Sequence, residues 1–378
     1  VSVPSRPVER VVDTTGAGDL FAAGFLVFIW DLARPKREAD RAPRNPWNGG
    51  AIEWLQESPP ESWGVRSVPQ VTSRYPIWDD PEFVKNYDAG RFYLPDAEEG
   101  RREGLVTSVL DAEPEQVLRV AGPSVLPILS AVALGGVFIF VTFHWWWLTG
   151  ISAAAALAAI LVWVWTGTAE HPEKPSKPIG LGREAPLYVS GPKSTGWWAM
   201  FITMLGDLTA FLGLIFGLFF FLTVHPQFPP PGLPVPGVAW PAAALGLTAV
   251  SWLATWGGRR ANAAGRVGAF RALLVLALGA GVAAAGALAA GPWLAGMDPT
   301  VHSWPAIVWT LVAWSVAHAT VGAIMQGFCL VASFAGRLTP RYDADIRNTE
   351  VFVHFHAFAA ILTAVALAAF PEAAELKP

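Results

Sequence analysis

The chain has 378 residues, of which 53% are hydrophobic and only 15% are charged, and its formal net charge is −4. Together with a mean hydropathy of +0.40, this composition excludes an ordinary soluble globular protein of this size. The small negative charge, with no dense basic patch, excludes a nucleic-acid partner. The single cysteine, Cys329, excludes an intrachain disulfide and a CxxC metal site.

The first apolar run covers residues 16–32 and has Asp19 near one end and Asp31 near the other. A helix needs roughly 20 apolar residues to cross a hydrocarbon core of about 30 Å. The sequence therefore predicts a short N-terminal helix, which would barely span the membrane.

Residues 33–122 are rich in Pro, Asp, Glu and Arg and show no sustained helical period. Such a segment cannot bury enough apolar surface to fold alone. We therefore predict a cytoplasmic polar connector that lies against other protein, with a short helix over 114–119.

From residue 123 onward the chain consists of long apolar stretches, and most of them are long enough to cross a membrane. Backbone amides cannot stay unpaired in lipid, so apolar chain of this kind crosses as helices. Residues 123–378 are thus predicted to form an all-α, polytopic membrane helix bundle. Its seven stretches are 123–143, 145–166, 196–223, 237–256, 268–293, 303–335 and 350–370.

Basic residues alternate along the loops of this bundle. Loops rich in Lys and Arg lie around residues 174–193, 259–266 and 337–347, whereas the loops 225–236 and 294–302 contain neither residue. Because positive charge marks the cytoplasmic side, the alternation supports the predicted number of crossings. It places the three basic loops in the cytoplasm.

Five segments carry more specific residue strings. They are PWNGGAIEW at 46–54, VTSRYPIW at 71–78, REGLVTSVLDAEP at 102–114, GWWAMFITMLGD at 196–207 and RNTEVFVHF at 347–355. The first two resemble the cytoplasmic tail of subunit I of bacterial haem–copper cytochrome c oxidases. The third is similar to the joint in oxidases whose subunits I and III are fused. The last two resemble the third and the last helix of subunit III, where Val353 stands in place of the family's tryptophan.

This resemblance covers about residues 20–378 and implies the tail of subunit I followed by a seven-helix subunit III. It implies an auxiliary subunit of an aa3-type oxidase in a bacterial inner membrane, which supports proton uptake, lipid binding and stability of the complex. The expected partners are the remainder of subunit I, subunit II and membrane phospholipids. Haem a and copper are expected in those partner subunits and not in this chain, whose first histidine is His144.

A second resemblance concerns residues 1–26. The string VVDTTGAGDLFAAGF at 11–25 resembles the C-terminal signature of ribokinase-like sugar and nucleoside kinases. The resemblance implies that Gly16, Ala17 and Gly18 present backbone N–H groups to phosphate at a helix start. Asp19 would be the general base.

That kinase family builds most of its site from a large α/β domain, which these 378 residues do not encode. We therefore expect Asp19 to be inactive in phosphoryl transfer and the kinase-like segment to be a remnant joined near residues 21–26. A natural fusion and a truncated or mis-assembled reading frame remain alternatives, as does a kinase fragment.

Four polar residues are candidates within the apolar helices: Asp207, His318, Gln326 and His354. An acid in a membrane helix is costly and normally faces the bundle interior with a partner. Asp207 stands where subunit III commonly carries a glutamate, and His318 and Gln326 are candidate partners for it. Both a structural role and a role in proton uptake are open for Asp207, whereas the histidines are interpreted as helix-packing residues rather than metal ligands.

A secondary transporter is the remaining alternative for the function of the chain, although no internal inverted repeat is evident.

Overall fold

A computed structural model describes residues 15–33, 43–56, 58, 67–94, 102–120, 123–167, 171–172, 174–225 and 227–375. The protein is mostly helical. It divides into two compact units, the first formed by the described residues of Val1–Val106, Leu118–Gly122 and Pro178–Glu184. The second unit comprises Thr107–Val117, Pro123–Lys177 and the described part of Ala185–Pro378.

The first unit contains the predicted N-terminal helix, α1 (Thr15–Ala33). The other helices that the structure describes in this unit are short: a 3₁₀ turn (Ile52–Leu55), α2 (Pro76–Asp79) and α3 (Phe83–Asp88). A small apolar cluster of Leu55, Phe83 and Tyr87 joins them. The composition of the predicted connector gave no indication of this cluster.

Two strands, β1 (Arg102–Thr107) and β2 (Pro114–Val120), form a two-stranded sheet. The helix predicted over 114–119 is therefore wrong. The turn between the strands is closed by a hydrogen bond from the Ser108 N–H to the Glu113 carbonyl (2.9 Å), and Ala112 adopts a positive φ of 51°. This local turn geometry, together with β-branched Val117 and Val120, favours the strand.

Seven helices follow among the described residues of the second unit, one at each predicted apolar stretch. They are α4 (Leu126–Thr142), α5 (Trp146–Gly167), α6 (Thr195–Val224), α7 (Ala239–Ala263), α8 (Val267–Leu294), α9 (Ser303–Phe334) and α10 (Ala344–Glu375). Between α5 and α6 lie the strands β3 (Ser176–Gly180) and β4 (Arg183–Pro186) and a 3₁₀ turn (Gly191–Lys193).

Five of these helices are long and apolar enough to cross a membrane: α5, α6, α8, α9 and α10. The chain is thus a multi-pass membrane protein. Helix α4 has only 17 residues, and α7 ends in a polar turn that contains Arg259, Arg260 and Asn262. Helix α4 is therefore too short to count with the other five, and α7 is too polar.

Helix α4 packs on α5, whereas α6 to α10 pack together, with α10 against α6, α7 and α9. The largest apolar cluster in this group contains Phe211, Leu218, Trp304, Val308 and Leu311, all 1% exposed or less. A second cluster lies around Phe270 and Leu274. The remaining side chains of these helices face outward, where lipid would surround the bundle.

The basic loops meet at one end of this bundle. The Tyr342 hydroxyl donates to the carbonyl of Pro172 (2.6 Å), and the Asn262 side chain donates to the carbonyl of Thr339 (3.1 Å). At the other end, the Trp304 indole in the first turn of α9 donates to the carbonyl of Pro234 (3.1 Å). The rings of Phe228 and His302, which belong to the two loops without Lys or Arg, lie 6.3 Å apart. This arrangement agrees with the predicted alternation of loops.

Candidate functional site

Asp207 on α6 and His318 on α9 form a close pair within the bundle. Nε2 of His318 lies 2.6 Å from Oδ2 of Asp207. The His318 side chain is 14% exposed and that of Asp207 is 25% exposed, so the pair is largely but not fully enclosed.

The backbone around His318 determines how protons are distributed in this pair. Nδ1 of His318 lies 2.7 Å from the carbonyl oxygen of Trp314, which can only accept, so Nδ1 carries a proton. The contact between Nε2 and Asp207 then needs one further proton. Whether this proton lies on the carboxyl or on the imidazole, the net charge of the pair is zero, which lowers the cost of placing a carboxyl in a membrane.

Aromatic rings fix the position of the imidazole. The ring of His318 stacks on that of Trp314, with 4.5 Å between centroids, and Phe352 and Phe355 lie 6.1 and 5.8 Å away. Since ring contacts restrict rotation of the imidazole, the proton shared with Asp207 stays on one line between Nε2 and Oδ2.

A cleft of about 630 Å³ lies along α6 and α10, close to this pair. Its wall is apolar and rich in aromatic rings. The lining residues are Pro192, Trp197, Phe201, Met204, Leu205, Leu208, Val351, His354, Phe355 and Phe358, together with the charged Arg259, Arg347 and Glu350. Phe201 (42% exposed), Leu205 (54%) and Phe358 (48%) leave it open toward lipid.

The charged end of the cleft contains two arginines, each beside an acid. Nε of Arg347 donates to Oδ2 of Asp343 (2.7 Å). Nε of Arg259 lies 2.6 Å from Oε2 of Glu350, but its N–H is not aligned for a hydrogen bond, so we interpret this contact as an ion pair only. A guanidinium has five N–H donors, and each of these contacts engages one nitrogen.

A glycine allows Arg347 to approach the loop before α6. Gly191 has a φ of 68°, and a Cβ built there would lie 3.0 Å from Nη1 of Arg347. A side chain at this position would be strained and would displace the guanidinium. Helix α6 then begins with the Ser194 hydroxyl, which accepts a hydrogen bond from the Trp197 N–H (3.2 Å).

The structure brings together some of the sequence-predicted residues and separates others. Asp207 pairs with His318, whereas Gln326 instead contacts hydroxyl groups on α7. His354 lines the cleft, and its Nδ1 lies 2.5 Å from the carbonyl oxygen of Glu350. Gly16, Ala17, Gly18 and Asp19 lie in the first turns of α1, and their side chains are outside the described part of the structure.

Sequence reasoning missed the Arg259–Glu350 pair, and no string of neighbouring residues indicates it. Within the described ranges, no group of three or more His, Cys, Asp or Glu side chains is placed to hold a metal ion.

A second polar cluster lies among the loops at the basic end. The rings of His171 and Tyr342 stack at 4.1 Å, and Tyr188 lies edge-on to Tyr342 at 4.9 Å. Burial raises the pKa of Tyr188 to about 12, although its oxygen accepts a hydrogen bond from the backbone N–H of Ala344. These side chains hydrogen-bond mainly to backbone groups of neighbouring loops. We therefore interpret the cluster as a contact between loops rather than as a ligand site.

No protein-family model matches this chain. The two resemblances therefore depend on the quoted residue strings alone.

Proposed function

We propose that this chain is an auxiliary membrane subunit of an aa3-type haem–copper cytochrome c oxidase, of the subunit III type, in a bacterial inner membrane. It supports proton uptake, binds phospholipid and stabilises the complex. Haem a and copper belong to its partners, the remainder of subunit I and subunit II. The residue strings at 46–54, 71–78, 102–114, 196–207 and 347–355 and the helix at each apolar stretch support this proposal.

The proposal includes seven crossings in the second unit, with α4 and α7 added to the five apolar helices. Helix α4 is followed by Trp145, Trp146 and Trp147, and such aromatic residues are typical of the interface depth. The Arg260 guanidinium of α7 lies over the Trp256 ring at 3.7 Å. Long basic side chains near a helix end can reach the headgroups while their stems stay in apolar surroundings.

The observation that carries the proposal is the cleft between α6 and α10. An apolar wall open to lipid suits acyl chains, and arginine N–H groups at one end suit a phosphate. This end is also the end at which the basic loops meet, where anionic headgroups of the cytoplasmic leaflet would lie. A phospholipid bound there would contact α6 and α10 together.

The Asp207–His318 pair gives the proposal its link to proton uptake. The pair shares one proton and lies beside Met204, Leu208 and Phe355 of the cleft wall. In the proposed complex this pair serves as a local proton donor and acceptor near the partner subunit.

Lipid retention tests the cleft. We expect the double variant Arg259→Gln, Arg347→Gln, purified from its own membranes, to retain several-fold less anionic phospholipid in native mass spectrometry. The control is Arg341→Gln, which removes a charge from the same end of the bundle, where Arg341 lies over the Tyr342 ring and not in the cleft. Equal loss from the control, or unchanged lipid in the double variant, would contradict a phospholipid site here.

Co-purification tests the oxidase assignment. A tag on this chain should recover haem a and copper from native membranes, and both should separate from the chain when the subunits are dissociated. Haem that stays with the isolated polypeptide and is lost after replacement of His318 or His354 would overturn the assignment of redox centres to the partners. Recovery of the chain without haem a from aerobically grown cells would overturn the membership itself.

A further inference from the structure

The interior of α7, α8, α9 and α10 contains a line of polar side chains that is separate from the Asp207–His318 pair. We call it the polar seam. Its members are Thr248, Ser251 and Thr255 on α7, Ser315 and Gln326 on α9, and His356 and Thr363 on α10, and each is 9% exposed or less.

Hydrogen bonds around Gln326 fix the orientation of its amide. The Ser251 hydroxyl donates to the carbonyl of Ala277 (2.8 Å), and the Thr255 hydroxyl donates to the carbonyl of Ser251 (2.8 Å). Each hydroxyl has one proton, so both oxygens must accept from Gln326. The amide nitrogen therefore faces them, at 3.2 and 3.0 Å, and the amide oxygen points away.

Two buried polar atoms of the seam are left without a partner among the described residues. They are Oε1 of Gln326, whose residue is 2% exposed, and Nδ1 of His356, whose residue is 9% exposed. Leaving such groups unpaired in a membrane interior destabilises the protein. Native proteins avoid this cost by supplying a partner, which is often a bound water.

Both residues line the same small cavity. It has a volume of about 10 Å³ and also includes Thr248, Ser251 and Gly281 in its wall. A second cavity of about 10 Å³ shares Thr248 and His356 with the first and reaches Ser315. One water needs a volume of about 10–15 Å³ and two to four polar partners, so each cavity fits a single molecule.

We infer that the polar seam is a hydration site, with one water in each cavity, and that the first water connects Gln326 with His356. Water can both donate and accept. It can therefore donate to the amide oxygen and pair with Nδ1 in either tautomer of the imidazole. The second water lies between His356 and Ser315, whose hydroxyl oxygen is 3.1 Å from that of Thr363.

The ends of the seam distinguish a closed site from a channel. Thr255 and Thr363 are fully buried, and Ser315 and Gln326 are each 2% exposed. Ser315 and Gln326 are about 16 Å apart along α9 at the usual helical rise, which is near half of the hydrocarbon thickness. The seam therefore holds water without providing a path across the membrane.

Radiolytic hydroxyl labelling of the full chain in lipid nanodiscs tests this inference, because bound water generates radicals that label the side chains beside it. In ¹⁸O-water we expect His356 to take up ¹⁸O several-fold faster than Phe270, an aromatic residue that is 1% exposed and lines neither cavity. Label at His356 no higher than at Phe270 would overturn the inference.

A methyl group can displace the first water. A Cβ at Gly281 would lie 3.2 Å from the Ser251 hydroxyl oxygen and 3.8 Å from Oε1 of Gln326. Since His356 lines both cavities, Gly281→Ala should remove about half of its label, corresponding to one of two waters. Gly279→Ala is the matched control on α8, because a Cβ there meets no atom within 4 Å.

A second variant keeps the test valid if Gly281→Ala does not fold. Thr248→Val removes the hydroxyl that both cavities share and adds almost no volume, so it should also reduce the ¹⁸O label at His356. Unchanged label in either folded variant would overturn the hydration site. Loss of label in the Gly279→Ala control would show that the probe reports global opening and would likewise contradict the inference.

Discussion

Helix α9 contributes side chains to two polar sites, and the two sites differ in charge and in access. His318 faces Asp207 on α6 and the neighbourhood of the cleft, where both side chains are partly exposed. Gln326 faces hydroxyl groups on α7 and is enclosed. Eight residues along a helix rotate the direction of a side chain by about 80°, which separates the two sites.

The comparison shows how this bundle accommodates polar groups of different kinds. An ionisable carboxyl is found where it shares a proton with a histidine, so that the pair stays neutral. The fully enclosed site uses hydroxyls, an amide and an imidazole, which are cheaper to bury than a charge. The first site is thus suited to proton exchange and the second to fixing the register of four helices.

Breaking the Asp207–His318 pair should have the largest effect. Asp207→Leu leaves Nε2 of His318 without its partner, and we expect a loss of roughly 1–3 kcal/mol in the free energy of unfolding. The loss should loosen α6 against α9 and weaken lipid retention or association with the oxidase partner, without preventing membrane insertion. Thr209→Val is the control, because that hydroxyl bonds only to the Leu205 carbonyl of its own helix.

Asp207→Asn sharpens this test, since its amide can donate to Nε2 while no proton is shared. If the role is structural, the unfolding free energy and the lipid content of Asp207→Asn should stay close to wild type. If Asn lowers proton uptake by the assembled oxidase as much as Leu does, with assembly and lipid intact, the shared proton itself is functional.

Removing the amide of the enclosed site should cost less. Gln326→Leu loses two hydrogen bonds between α9 and α7, and interhelical bonds in membranes average about 0.6 kcal/mol. It also removes an amide oxygen that bonds to no other helix, so we expect a loss of about 1 kcal/mol or less, measured by steric trapping in bicelles. The control is Thr320→Val, because that hydroxyl bonds to a carbonyl of its own helix. A loss as large as that of Asp207→Leu would show that the two sites do not differ as proposed.

Apolar run length was enough to predict the seven helices of the second unit, because an apolar stretch in lipid has few alternatives to a helix. Their ends were less predictable. Helix α7 continues past the apolar run to Ala263, and α10 begins at Ala344, before its own run starts. At both ends local contacts of polar residues, such as Arg260 over Trp256 and Arg347 with Asp343, extend the helix beyond the apolar core.

The candidate site was predictable only in part. The cost of a carboxyl in lipid indicated that Asp207 needs a partner, but single residues could not decide between His318 and Gln326. Helical rotation could have indicated that Gln326 belongs to the polar seam. Ser315 and Gln326 differ by only about 20° around α9 and so share a face. His356 and the Arg259–Glu350 pair depend on contacts between distant helices, which one sequence does not encode in any local pattern.

The smallest expected effect concerns the hydroxyl pair at the far end of the polar seam. Ser315→Ala removes one side of the contact with Thr363 (3.1 Å), and a double-mutant cycle with Thr363→Val should give a coupling of about 0.6 kcal/mol. Thr310→Val is the control on the same helix, since the Thr310 hydroxyl bonds to the Ala306 carbonyl (2.8 Å). This variant should show no coupling to Thr363→Val.

A coupling near zero for Ser315 would mean that this pair does not hold α9 to α10, and the seam would then end at His356. A coupling well above 1 kcal/mol would place this end of the seam in the same class as the Asp207–His318 pair, and the contrast between the two sites would fail.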